Sequence, residues 1–200
     1  MPSPLPSDRL GFSELVFSDL KRYRPNEKPS WLRVLARCLV LPGMIASIVL
    51  RAQQCLYRSG HERAAHVMRT VGVLLVGADF VPGMTIGTGL LIPHPTGVTI
   101  GNSLTIGDGV SIAGGVTVGA RHPDASRAQE FATICDGAII LAHAVLVGGV
   151  RIGKHAQVGA NTVVLSDVPD FAVVFGVPAR KVGTREGDPD LYSVSGLSPE

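Results

Sequence analysis

The chain has 200 residues, of which 46% are apolar, and a formal charge of +2; this suits one compact unit with a small appendage and an ample core. So small a charge, with scattered arginines, no dense basic stripe and no base-stacking aromatics, excludes the nucleic-acid-binding classes. Cys38, Cys55 and Cys135 form no CxxC pair and are odd in number, so they read as free, buried thiols in a reducing compartment.

Met1 to Pro6 offers neither a basic n-region nor an apolar h-region, so no secretory signal is predicted and a cytoplasmic location is expected. From there to about residue 76 the chain reads as helical. Ser18-Asp19 is placed to cap one helix, Pro42-Gly43 breaks the next, and Ser59-Gly60 precedes a segment that begins His61-Glu62-Arg63. The most apolar run, Cys38 to Leu50, is thirteen residues long, too short to span a bilayer. Bundle helices are expected there. The alternative is a peripheral membrane contact along Trp31 to Leu56, in which Arg33, Arg37 and Arg51 face lipid headgroups.

Residues 77–183 follow another period. Ile134, Ile140, Leu146, Ile152, Val158 and Val164 stand six apart, and Ala132, Ala138, Ala144, Val150, Ala156 and Thr162 run in phase beside them. Six is neither a helical nor a strand period. It suits short strands that turn at regular intervals, each coil laying its aliphatic residue above the last. Ile100, Ile106, Ile112 and Val118 repeat the pattern upstream, with Ile86 and Ile92 one step earlier. Glycine often follows the aliphatic residue, as at Gly101 and Gly107, where a corner needs its backbone freedom. His143 and His155 fall within the regular ladder and read as exposed corner residues. The polar tail, 184–200, reads as mobile.

The ladder fails twice. From Ile92 to Ile100 it slips by eight residues, through Pro93-His94-Pro95-Thr96-Gly97, and prolines on either side fix the backbone around that histidine. Between Val118 and Ile134 lie sixteen positions, so the loop 119–133 must leave the coil. Loops on a rigid scaffold are favoured places for binding and catalysis. Arg121 and His122 stand at the base of this one.

Gly77-Ala78-Asp79-Phe80-Val81-Pro82, Ile86-Gly87-Thr88-Gly89, Pro93-His94-Pro95-Thr96-Gly97 and Gly176-Val177-Pro178-Ala179-Arg180, in that order, resemble the serine O-acetyltransferase branch of the hexapeptide-repeat acyltransferases. The resemblance covers the repeat region and, more weakly, the segment from about Met44 to Val76. It implies a mainly β fold, a left-handed parallel β-helix behind a short α-helical segment at the N-terminus, assembled as a homotrimer with acetyl-CoA as co-substrate and no metal. It implies further that His94 is the general base and that Asp79 orients it. The chemistry agrees, because an acceptor hydroxyl is a poor nucleophile near neutral pH and an imidazole is suited to take its proton. A carboxylate on the far ring nitrogen fixes the tautomer and stabilises the imidazolium. Direct transfer to the hydroxyl of L-serine or a related small compound, without a covalent enzyme intermediate, is the expected reaction. Arg121 and His122 are the acceptor-site candidates. Ala142, Gly159 and Ala160, with Arg180 or Lys181 near the phosphates, are the expected cofactor contacts.

The chain also departs from the family. Its serine acetyltransferases carry an acidic residue immediately before the catalytic histidine, which helps to hold the amino acid's ammonium; here Pro93 stands there, and Arg24-Pro25 stands where an Asp-Pro pair is expected. An acceptor other than free serine, such as a sugar in exopolysaccharide or secondary-metabolite synthesis, is the alternative. The early His122-Pro123, followed by Arg127, is nearer to galactoside and maltose acetyltransferase loops, although their second catalytic histidine is missing from Asp124-Ala-Ser-Arg. The glycine and lysine expected at two other cofactor-lining positions are His143 and Gln157. Two further readings stay open: a γ-carbonic-anhydrase-like metal enzyme using His94, His122 and His143 on zinc, and a catalytically silent scaffold.

Overall fold

A computed structural model describes residues 6–101, 103–121 and 131–185. The expectations for His122, for Arg127 and for the tail beyond residue 185 lie outside the described residues.

Each hexad becomes a strand of two or three residues and a turn. The strands are β1 (Asp79–Phe80), β2 (Thr85–Ile86), β3 (Thr99–Ile100), β4 (Thr105–Ile106), β5 (Ser111–Ile112), β6 (Thr117–Gly119), β7 (Thr133–Ile134), β8 (Ile139–Ile140), β9 (Val145–Val147), β10 (Arg151–Ile152), β11 (Gln157–Val158) and β12 (Val163–Val164). An antiparallel hairpin of β13 (Ala172–Phe175) and β14 (Arg180–Thr184) closes the series. The strands form three sheets, ordered β1-β3-β6-β9-β12, β10-β7-β4-β2 and β14-β13-β11-β8-β5, which are the first, second and third faces of a triangular prism. All pairings except the hairpin are parallel. This is the left-handed parallel β-helix.

Register exposes both irregularities. Thr99 pairs with Thr117 and Val145 with Val163, eighteen residues apart, which is one coil of three hexads. Asp79 pairs with Thr99, twenty residues on. The two extra residues are the slip around His94. Thr105 pairs with Thr133, twenty-eight residues on, so the excursion after Val118 adds ten to its coil.

Both ladders point inward. All six aliphatic residues from Ile134 to Val164 are fully buried, and Ala138, Ala144, Ala156 and Thr162 are buried beside them. Each fully buried Val, Leu or Ile contributes roughly 1.5–3 kcal/mol, so the column supplies the stability that strands this short lack in isolation. One polar side chain, Thr162, enters the ladder.

The helices are α1 (Phe12–Tyr23), α2 (Trp31–Cys38), α3 (Pro42–Arg58) and α4 (Glu62–Val76), after a single 3-10 turn, Pro6–Arg9. Pro42-Gly43 does separate two helices, with Pro42 at the first turn of α3, where its missing N–H costs nothing. Gly43 is required there, because a β-carbon would lie 2.1 Å from the Ile92 carbonyl oxygen and 2.2 Å from the Tyr23 hydroxyl. Ser18-Asp19 does not cap a helix: both residues lie inside α1, whose start is closed by the Gly11 N–H donating to Glu14 Oε2 at 2.8 Å.

Asp19 is buried, and so is Arg51, which does not face solvent as a headgroup contact would require. Arg51 Nε and Nη2 donate to Asp19 at 2.9 and 2.8 Å, Ser47 Oγ donates to Asp19 Oδ2 at 2.5 Å, and the Leu90 N–H donates to Oδ1 at 2.8 Å. Arg51 Nη2 also reaches the Gly87 carbonyl at 2.7 Å, while Gln54 and Gln53 donate to the carbonyls of Ile86 and Phe80 at 3.0 and 2.6 Å. A buried ion pair survives desolvation only when such extra bonds satisfy it. This network fastens α1 and α3 to the first coil. The three cysteines are free and half-buried, where full burial was expected.

Candidate active site

Gly77 ends α4 in the left-handed conformation (φ 65°), and the chain turns directly into β1. Asp79 therefore lies on the first face beside the last turns of α4. Arg69, ten residues earlier on that helix, takes both carboxylate oxygens: Nε donates to Oδ1 at 2.5 Å and Nη2 to Oδ2 at 2.7 Å. These bonds hold the Asp79 carboxyl below the usual carboxylate range, with partial burial working against them. His94 is exposed, and among the described residues it makes no hydrogen bond to Asp79. Arg69 was not anticipated. The available signal was the helix terminator Gly77, two residues before Asp79, which folds the end of α4 back along β1.

His94 occupies the corner between the third and first faces. The Gly97 N–H donates to the Gly77 carbonyl at 2.8 Å, and Thr96 accepts from the Gly115 N–H at 3.0 Å. Gly114, one coil on, lies directly against His94: a β-carbon there would be 2.9 Å from its carbonyl oxygen. The corner then continues upward. His143 donates its N–H to the Gly114 carbonyl at 2.9 Å, Asn161 to Ala142 at 3.0 Å, and Val163 to Gly176 at 3.0 Å. Gly97, Gly115, His143 and Asn161 all have positive φ, so one tight corner is repeated coil after coil. Only a glycine fits under the His143 ring, since a β-carbon on Gly115 would stand 2.2 Å from Nδ1.

Ala142 and Ala160 face out along this same edge, and Gly159, Arg180 and Lys181 adjoin its upper end. With strands about 4.8 Å apart, four coil steps separate His94 from the hairpin turn, or about 19 Å. An elongated thioester carrier could lie along such an edge with its acyl end at the histidine and its phosphates near the exposed Arg180 and Lys181. Gly159 is covered: a β-carbon there would meet the Phe175 ring at 2.1 Å. Phe175, which the sequence did not single out, therefore walls this end. Arg121 Nη2 donates to the Leu165 carbonyl at 3.1 Å, tying the loop base to the coil above.

His155 lies on the corner between the second and third faces, half-buried where exposure was expected. It stacks on Phe171 with ring centroids 5.3 Å apart, and its Nδ1 has no hydrogen-bond partner among the described residues. Among the described residues no group of three or more His, Cys, Asp or Glu is placed to hold a metal ion.

The family profile described as "Bacterial transferase hexapeptide (six repeats)" matches residues 131–166. Serine acetyltransferase 4 of Arabidopsis thaliana is 33% identical over 189 residues, covering 90% of the chain and 50% of that protein. The chain thus spans half the length of this plant relative. The serine acetyltransferase of Mycobacterium tuberculosis is 35% identical over 175 residues, covering 84% of the chain and 71% of that protein. Among solved structures, the serine acetyltransferase of Neisseria gonorrhoeae superposes with a TM-score of 0.78 at 32% identity, covering 89% of the chain and 68% of that structure. The same gonococcal enzyme in complex with serine gives 0.73 at 32% identity, and a serine acetyltransferase in complex with CoA gives 0.73 at 30%; each covers 84% of the chain and 68% of that structure. The order of the motifs, the coil geometry and these likenesses place the chain in the serine acetyltransferase family of hexapeptide-repeat transferases.

Proposed function

We propose that the chain transfers an acetyl group from acetyl-CoA directly to the hydroxyl of a small acceptor, L-serine or a related hydroxy compound, with His94 as general base. The observation that carries this reading is the placement of His94 at the foot of the one edge that also bears Ala142, Ala160, Arg180 and Lys181. His94 takes the acceptor's proton as its oxygen attacks the thioester carbonyl, and the tetrahedral intermediate then collapses with loss of the CoA thiolate. The imidazolium returns the proton to that thiolate, so no covalent enzyme species forms. Asp79 orients the imidazole. Bidentate Arg69 uses two of the roughly four lone-pair sites of its carboxylate, which leaves acceptor capacity for an imidazole N–H. Arg69 is thus a positioning residue behind Asp79.

Arg121 and His122 serve the acceptor, with His122 beyond the described residues. In this reading residues 1–76 form the helical segment and 77–183 the acyltransferase unit with its loop 119–133. The active protein is a cytoplasmic homotrimer, because an edge this open needs a neighbouring subunit to close over acetyl-CoA. A sugar hydroxyl is the second acceptor class. What favours it is Pro93, which puts an apolar ring where the family holds the serine ammonium with a carboxylate.

Release of free CoA thiol from acetyl-CoA, measured with L-serine, homoserine and a panel of sugars, tests both classes. His94→Ala should abolish release at least 100-fold, on the order of a positioned general base, while sedimentation shows an unchanged trimer. Near-normal release by His94→Ala would overturn the mechanism, and a stable, active monomer would overturn the shared groove.

A further inference from the structure

We propose that α2 is a docking face for anionic lipid bilayers. The idea does not rest on the proposed chemistry. On this short helix Val34 and Cys38 turn inward, and Trp31, still 38% exposed, lays its ring against Phe12 and Phe17 with centroids 5.6 and 5.5 Å apart. Leu32, Leu35 and Leu39 fall within an arc of about 60° at about 100° per residue, beside the face that meets that small core and not part of it. They are 79%, 61% and 88% exposed, and Val40 beside them is 67% exposed. Four large aliphatic residues thus face solvent together, where isolated ones would need no explanation.

Their surroundings say what covers them. Between residues 21 and 40 stand Lys21, Arg22, Arg24, Lys28, Arg33 and Arg37 against the single acid Glu27. Glu27 is taken by Arg37 at 2.8 Å. Arg22 is spent on the Gly109 carbonyl and the Ser111 hydroxyl, at 2.9 and 3.2 Å. Lys21, Arg24, Lys28 and Arg33 remain exposed, with the Arg33 guanidinium also donating to the Lys28 carbonyl. An exposed apolar stripe on a helix that carries Arg33 and Arg37 on its other side, in so cationic a segment, is the composition that settles at the boundary between acyl chains and anionic headgroups. A second copy of the chain fits poorly, because a two-fold contact would bring this cationic segment against itself. The part expected of Arg51 falls to other residues, since Arg51 is buried on Asp19. No helix of the described residues is long and apolar enough to cross a membrane, so the contact is peripheral. Arg22 anchors α1 at the corner between the second and third faces, not at the corner that carries His94.

Co-sedimentation with vesicles tests the face, using phosphatidylcholine alone and phosphatidylcholine with about 30% phosphatidylserine. The wild-type chain should partition at least tenfold better onto the anionic vesicles and lose most of that gain in about 0.5 M NaCl. Leu35→Glu with Leu39→Glu should lower anionic binding at least tenfold while circular dichroism and thiol release stay unchanged. If that pair disturbs folding, Leu39→Ala reads the same contact as a loss of about threefold, from the smaller apolar area it removes. Equal binding by the variants, or no wild-type binding to anionic vesicles, overturns the proposal. So does a change in the vesicle-free sedimentation coefficient of the leucine variants, which would make the face a contact between copies.

Discussion

The interior of the β-helix and the junction between the helices and the first coil are both fully buried, yet they are held by opposite means. Inside the coils, stability is spread over a column of aliphatic residues in which one polar side chain, Thr162, appears. At the junction it is concentrated in Asp19 and Arg51, with Ser47, Gln53 and Gln54 around them. An apolar column degrades gradually when one member shrinks. A paired charge network fails at once when a member is removed, because its partner stays behind without water.

The largest expected effect is therefore at the junction. Asp19→Ala leaves the Arg51 guanidinium buried without its counter-charge, and should cost about 3–5 kcal/mol, read as a lower denaturation midpoint. Replacing Asp19 and Arg51 together by Leu and Met should recover much of that loss. If the single variant lost no more than an aliphatic truncation does, the contrast between the two regions would fail.

Next come the corners, which are neither apolar column nor charge network. Gly115→Ala places a β-carbon 2.2 Å from His143 Nδ1 at a φ of +71°. The left-handed backbone costs an alanine roughly 1–2 kcal/mol, and displacement of His143 adds to it. In a His143→Ala background the clash disappears and the backbone part remains, so the cycle separates the two. Within the column itself, Ile140→Val removes one methylene from a fully buried site and should cost about 1 kcal/mol. A much larger loss there would mean that the column is as cooperative as the junction.

The same contrast governs what could be read from the sequence. The column was legible because burial once in every strand and turn writes a period of six, and the two failures of that period mark the places where the coil measures twenty and twenty-eight residues. The site was legible where it depends on the coil: His94 sits in the first slip, and Ala142 and Ala160 are one coil apart. The junction left no period. Asp19 is joined to Arg51 across thirty-two residues and to Leu90 across seventy-one, so locally it resembled a helix cap and Arg51 resembled a surface cation. Arg69 was missed for a related reason. An arginine on an amphipathic helix is usually a solvated one, and Gly77 marks where the helix ends without marking which of its residues comes back against Asp79.

Arg69→Gln has the smallest effect on stability and sharpens the comparison most, because the Arg69–Asp79 pair is a charge pair placed at the surface. Its side chains are 35% and 31% exposed, so water screens it and the substitution should cost under about 1 kcal/mol. The pair instead acts through protonation. Arg69 lowers the folded pKa of Asp79, so the stability this carboxylate contributes is present above the ordinary carboxylate range and is lost only as pH falls through its depressed value. Without the guanidinium the folded pKa returns toward the ordinary range, and this contribution, together with its loss on acidification, disappears. If Asp79 must be ionised to orient His94, the acid limb of thiol release in Arg69→Gln should retain an added component moved toward the ordinary carboxylate range, while activity near neutrality falls only modestly. Arg69→Lys, which keeps the charge but not the fork, should return the limb most of the way. An acid limb identical in wild type and Arg69→Gln would show that Arg69 braces α4 against β1 and leaves the chemistry of His94 untouched.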